Sequence, residues 1–116
     1  MPKIVTLNRN GYFRRAYTRG KAYTDPALVT YVIKNGAGIC RVGITTGKKI
    51  GNAVVRNRCR RIIRAAFSEI QSELSGGYDI VFVARHRTAS CKSTDIYNIM
   101  RKHLATIMKS NREKQK

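Results

Sequence analysis

Residues 48–64 read Lys48-Lys49-Ile50-Gly51-Asn52-Ala53-Val54-Val55-Arg56-Asn57-Arg58-Cys59-Arg60-Arg61-Ile62-Ile63-Arg64, seven cations and no acid in seventeen positions. From Val55 onward the apolar residues Val55, Cys59, Ile62, Ile63, Ala66, Phe67, Ile70 and Leu74 recur at the spacing of one helical face. That pattern predicts a helix that begins near Ala53, buries this stripe and stops at Ser75-Gly76-Gly77. Arg56, Arg60 and Arg64 follow at i, i+4 and i+8 on a neighbouring ridge, roughly 12 Å long at about 1.5 Å rise per residue. Arg58 and Arg61 fall on the solvent side. A helix that needs charge only for solubility interleaves acids for i, i+4 pairing. This one does not. Guanidiniums raised on a fixed cylinder suit an array of phosphates, because each planar fork can bridge two oxygens.

The charge balance of the whole chain agrees. Residues 1–68 hold fifteen Lys or Arg and one acid, Asp25, whereas residues 69–116 hold nine cations and five acids. A net charge of +18 on 116 residues repels itself in the compact state. A polyanionic partner offsets that repulsion: nucleic acid first, an anionic membrane surface second. No apolar run is long enough to span a bilayer, and the start of the chain lacks the apolar core of a signal peptide. A cytosolic, cytoplasmic protein is expected. The length supports one domain over 1–116, with a core of about 8–108 and a basic tail at 109–116. Cys40, Cys59 and Cys91 are odd in number and form no C-x-x-C pair, so they read as reduced thiols.

Outward from the basic helix, the remaining elements follow from period and punctuation. Asn8 or Asn10 is expected to cap a first helix that carries Phe13, Ala16 and Tyr17 on one side and ends at Gly20. Residues 21–26 read as a linker. Over Leu28–Lys34 the residues alternate, with Val29, Tyr31 and Ile33 on one face and Leu28, Thr30 and Val32 on the other. Asn35-Gly36-Ala37-Gly38 suggests a hairpin into a second strand at 39–46. Tyr78–Ala84 is apolar at successive positions, as in a strand covered on both faces. A last helix is expected to be capped by Ser93 or Thr94, with Ile96, Ile99, Met100, Leu104, Ile107 and Met108 as its buried stripe. The fold class is therefore α/β, more closely an α+β two-layer sandwich in the order α-β-β-α-β-α around a mixed sheet.

Phe13 and Tyr17 are i, i+4 on the first helix beside Arg14, Arg15 and Arg19, and Tyr31 stands mid-strand. They are either ordinary core aromatics or the faces of a groove on which unpaired bases stack. Catalysis by side chains is not expected. His86 and His103 lie in different elements without a carboxylate partner, and the six acids are scattered, so neither an acid–base pair nor a metal cluster forms. Glu69 and Glu73 read as partners of nearby cations, and His103 as a partly buried structural residue. His86, between Arg85 and Arg87, stands where a phosphate could be met. Residues 47–52 lack the spacing of a triphosphate-binding loop, although an anion contact at the helix start is compatible with them.

The run from Lys48 to Arg64 resembles the signature of the bacterial ribonuclease P protein subunit, in which K-K-x-G-x-A-V precedes a helix opening on R-N-R. Arg41-Val42-Gly43-Ile44, the upstream Phe13, Tyr17 and Gly20, and Tyr78-Asp79-Ile80-Val81-Phe82-Val83-Ala84-Arg85 agree in order and spacing, so the resemblance covers about 8–108. It implies an α/β sandwich with a left-handed crossover shared with a ribosomal-protein domain. It further implies a partner, the ribonuclease P RNA, which with magnesium ions bound by the RNA cleaves precursor tRNA at the mature 5′ end. No membrane and no obligate protein partner are implied. Carried over by position, Arg56, Asn57, Arg58, Arg60, Arg61 and Arg64 would bind the catalytic RNA. Phe13, Tyr17, Tyr31, Lys48 and Lys49 would bind the single-stranded 5′ leader. Gly47 stands where many members have a serine, and Tyr17 where phenylalanine is frequent. The competing readings are a ribosomal or RNA-chaperone protein without a cleavage role, and a self-sufficient nuclease, against which the scattered acids argue.

Overall fold

The computed structural model describes residues 4–108, so the tail at 109–116 lies outside the described residues. In chain order it contains α1 (Asn10–Arg19), β1 (Lys21–Asp25), β2 (Leu28–Lys34), β3 (Arg41–Thr45), α2 (Ala53–Ile70), β4 (Tyr78–Ala84) and α3 (Ser93–His103). The four strands form one mixed sheet in the order β1-β2-β4-β3. β4 pairs antiparallel with β2 and parallel with β3, the two parallel strands being joined through α2. Among the described residues no helix is long and apolar enough to cross a membrane.

Two features of the sheet differ from the sequence reading. Residues 21–26 are not a linker: β1 pairs antiparallel with β2 from Lys21↔Val32 to Asp25↔Leu28. Its turn is Pro26-Ala27, closed by Asp25 Oδ1 accepting from Ala27 N at 2.8 Å. The order is thus α-β-β-β-α-β-α. Nor are β2 and β3 a hairpin, because β4 lies between them. β4 is buried at five of its seven positions and so takes the centre, which sends the 35–40 connection across its end. Asn35 holds that crossing, its N accepted by Gly77 O at 3.0 Å and its Oδ1 accepting from Ala37 N at 2.9 Å.

The alternation of β2 separates two packing faces. Leu28 and Val32 join Ile80 and Phe82 under α2 and α3, where Cys59, Ile63, Ala66, Phe67, Ile70, Ile96, Met100 and Leu104 complete the main core. Each such large side chain, fully buried, contributes about 1.5–3 kcal/mol. On the opposite face Tyr31, Ile33, Val81 and Val83 pack with Leu7, Tyr12, Phe13 and Ala16 beneath α1. α1 ends where it does because Gly20 lies against its own last turn; a Cβ there would stand 2.4 Å from Ala16 O. The expected caps differ in detail. Arg9, not Asn8 or Asn10, occupies the N-cap of α1 and makes no side-chain bond there. Lys92 precedes α3, and Asp95 Oδ2 reaches back to accept from Lys92 N at 2.9 Å.

His103 closes α3 against the sheet and is structural. Its Nδ1 lies 2.7 Å from Thr30 Oγ1, and its ring stacks on Tyr23 at 5.7 Å. Burial lowers its pKa from 6.5, opposed by Asp25 and aided by Lys102. The folded imidazole is therefore neutral where the unfolded one takes a proton. Its contribution to stability is present above pH 6.5 and is lost as pH falls through the depressed folded value. Thermal unfolding between pH 7 and 5 should fall more steeply for the native chain than for His103→Gln. Parallel curves in that window would refute this role.

Candidate nucleic-acid interface

The start of the basic helix is built by its own sequence. Lys48–Ile50 form a 3-10 turn, and Gly51 follows at φ +151°, a conformation that favours glycine. Asn52 then caps α2, its Oδ1 accepting from Val55 N at 3.0 Å. With the stripe from Cys59 to Ile70 buried, Asn57, Arg58, Arg60, Arg61 and Arg64 are exposed and Arg56 is half-buried. The guanidiniums divide between two flanks. Arg60 Nη1 donates to Ile44 O at 3.3 Å on the β3 side, whereas Arg58 Nε donates to Ala89 O at 2.8 Å on the other. Among the described residues the carboxylate-bound arginines are Arg41, on Asp79, and Arg101, on Glu73. None of the α2 arginines is among them.

Phe13, Tyr17 and Tyr31 meet between α1 and the sheet. Tyr17 stands edge-on to Tyr31 with ring centres 5.0 Å apart, and its hydroxyl lies 2.8 Å from Thr45 Oγ1 on β3. Tyr17 is 40% exposed, whereas Phe13 and Tyr31 are half-buried. They are therefore both things that the sequence left open: they pack α1 down, and they leave ring surface at a rim. Phe13 lies directly over Gly43, where a Cβ would come within 2.5 Å of the ring. Lys48 and Lys49, both exposed, follow Thr45 just beyond the end of β3.

Three of the expected site residues meet at one place, Phe13 from the aromatic set and Arg60 and Arg64 from the basic helix, while Tyr17, Tyr31, Lys48, Lys49, Arg56, Asn57, Arg58 and Arg61 lie outside it. Leu7, Phe13, Gly43, Ile44, Arg60 and Arg64 line one cleft of about 310 Å³ at the β3 edge. Residues 5–7 form its outer wall by pairing with β3, Leu7 N donating to Val42 O and Val42 N to Val5 O, both at 2.8 Å. Sequence reasoning missed Gly43, Thr45 and this wall. It also missed the clamp behind α1, where Arg41 grips the fully buried Asp79 through Nε at 2.7 Å and Nη2 at 3.0 Å. The Arg41 guanidinium in turn lies 4.2 Å from the centre of the Tyr12 ring. The available signal was a single acid inside an otherwise apolar strand, which requires a buried partner.

The other candidates stand apart from this cleft. Glu73 accepts from Arg101 and Tyr97, as expected of an acid balancing cations, while Glu69 is exposed. His86 is exposed just past β4. Burial raises the pKa of Cys40, Cys59 and Cys91, so all three are thiols rather than thiolates at neutral pH. Among the described residues no three His, Cys, Asp or Glu side chains gather as metal ligands.

Comparison with known proteins identifies the family and the fold. A family model described as Ribonuclease P matches residues 1–108. The ribonuclease P protein component of Thermoanaerobacter sp. (strain X514) is 38% identical over 100 residues, covering 86% of each chain. That of Clostridioides difficile (strain 630) is 41% identical over 91 residues, 78% of this chain and 80% of the other. Among solved structures, the Staphylococcus aureus RNase P protein superposes with a TM-score of 0.78 at 29% identity, covering 91% of this chain and 99% of that one. The Thermotoga maritima RNase P protein gives 0.66 at 25% identity, with 94% and 97% covered.

Proposed function

The chain belongs to the ribonuclease P protein family, and from that premise we propose how its two surfaces divide the work. It is the protein subunit of an endoribonuclease that associates with a ribonuclease P RNA; a ribosomal or chaperone role has no support. In our reading Arg56, Asn57, Arg58, Arg60, Arg61 and Arg64 of α2 bind that RNA. Phe13, Tyr17 and Tyr31, with Lys48 and Lys49 at the rim, hold the unpaired 5′ leader of precursor tRNA. The observation that carries this division is the shared cleft, where an aromatic face and carboxylate-free guanidiniums border the same space. An RNA seated on Arg60 and Arg64 would deliver its substrate strand to Phe13 without crossing the molecule.

The chain's contribution is affinity and charge screening. Its cations offset repulsion between two RNAs, and its rings stack on bases. The magnesium ions we assign to the RNA, where they would activate the attacking water and stabilise the leaving oxygen. Reconstitution tests the reading: precursor tRNA is offered at low magnesium to the RNA alone, the protein alone and the two together. Stimulation of the RNA by a protein inert by itself is expected. Cleavage by the protein alone, or no stimulation, would overturn it. Within the reconstituted enzyme, Phe13→Ala should weaken leader-bearing substrate by about 5- to 150-fold, the equivalent of about 1–3 kcal/mol for one stacked base. Leaderless tRNA should be unaffected, and an equal loss for both would defeat the groove assignment.

A further inference from the structure

Beyond β4 the chain forms a 3-10 turn over His86–Ser90 that no element of the proposed function uses. Buried Thr88 pins it from inside: its Oγ1 donates to Ala27 O at 2.6 Å and accepts from Arg85 N at 2.9 Å. A second pin comes from α2, through Arg58 Nε on Ala89 O. Fixed at both points, the turn exposes Arg85, His86 and Arg87, with Lys92 exposed just after it. The nearby acids are Asp25 and Asp95, and each is committed to a backbone N–H of its own neighbourhood, Ala27 and Lys92 respectively. Among the described residues no carboxylate pairs with Arg58, Arg85, Arg87 or Lys92.

We propose that this turn, with Arg58, is a second docking rim for the folded RNA partner, on the flank of α2 opposite the cleft. The inference rests on the reading of α2 as an RNA-binding helix. α2 directs Arg60 towards β3 and Arg58 towards the 3-10 turn, so one cylinder bears cations on two flanks. A single phosphate strand laid along the Arg56, Arg60 and Arg64 ridge does not reach both. A folded RNA that straddles the helix does, and the rigid turn then meets a separate backbone segment. A turn ordered beforehand costs little entropy when it binds, which is what a docking rim requires.

The test neutralises the rim in the full-length chain. Arg85→Gln with Arg87→Gln is titrated with ribonuclease P RNA across a series of monovalent salt concentrations. Lys102→Gln, an exposed cation at the far end of α3, is the control, and thermal unfolding verifies the fold. Affinity at low salt should drop at least tenfold, and the log–log salt slope should shrink by about 1.4–1.8, the counterions of two phosphates. Lys102→Gln should change neither. A double variant with native affinity and slope would overturn the proposal, as would an equal loss from Lys102→Gln. If variants of Arg60 and Arg64 also bound normally, the assignment of α2 itself would fail, and the two failures are thereby distinguished.

Discussion

Arg60→Glu combined with Arg64→Glu is expected to abolish assembly with ribonuclease P RNA while the protein remains folded. Both side chains are exposed, and the bond from Arg60 to Ile44 O at 3.3 Å is a surface contact. Its loss costs the fold about 1 kcal/mol or less. On the RNA side, hydrogen bonds to charged groups contribute about 1.5–3 kcal/mol each, so two lost phosphate contacts amount to about 3–6 kcal/mol. That is a fall in affinity of roughly 10²- to 10⁴-fold, since about 1.4 kcal/mol is tenfold. Charge reversal adds repulsion to that loss. Filter binding at two salt concentrations reads the outcome, and circular dichroism verifies the helix content. Retention of native affinity in a folded variant would remove α2 from the interface.

The position of these residues gives the same variant a second consequence. Arg60 and Arg64 border the cleft that Phe13 closes from the other side. Their reversal would place two carboxylates beside the path of the leader. Even at RNA concentrations that force assembly, leader-bearing substrate should then bind less well than it does to the native enzyme. The adjacency also shows how α1 and α2, on opposite faces of the sheet, both border one cleft. β3 and the strand-like segment at 5–7 are its edge, and both faces open there.

How far the sequence reveals this arrangement depends on how each element is stabilised. β2 and β4 are legible to the residue, because one alternates and the other is apolar save for Asp79, and both patterns are consequences of burial. α2 is legible for the same reason. β1 is not: Lys21, Ala22 and Thr24 are exposed, and the strand depends on its ladder with β2 rather than on apolar contacts. Its one local signal was Asp25-Pro26, a turn initiator, and two strands joined by two residues follow from it. The glycines at 36 and 38 suggest a hairpin at 35–38, but they serve a passage across the end of β4. A central β4 excludes that hairpin, since β4 then separates β2 from β3. In the site, residue types were legible and adjacency was not. The charge run and the aromatic pair stand in the chain as separate features, and only the tertiary packing of Phe13 on Gly43 brings them to one cleft.

Asp79→Ala should destabilise the protein by about 3–5 kcal/mol, the range for breaking one side of a buried ion pair. Asp79 is fully buried and accepts three bonds, two from Arg41 and one from Asn35 Nδ2 at 2.8 Å. Without the carboxylate, the Arg41 guanidinium loses its counter-ion while its side chain is only 18% exposed. Domains of this size are stable by about 5–15 kcal/mol, so the loss is a large share of the whole. Urea unfolding measures it directly. A second variant isolates the cause: Arg41→Met with Asp79→Leu removes both charges and fills the space, and should recover most of the lost stability. Recovery would mean that the single variant suffers from the orphaned cation. If the double variant were as unstable as Asp79→Ala, the bond to Asn35 and the crossing at 35–40 would be the dominant contribution instead. The consequence for function follows from Tyr12, which rests on the Arg41 guanidinium one residue before Phe13. Where that support is lost, α1 loses a fixed seat on the sheet, and leader affinity should fall before affinity for the catalytic RNA does.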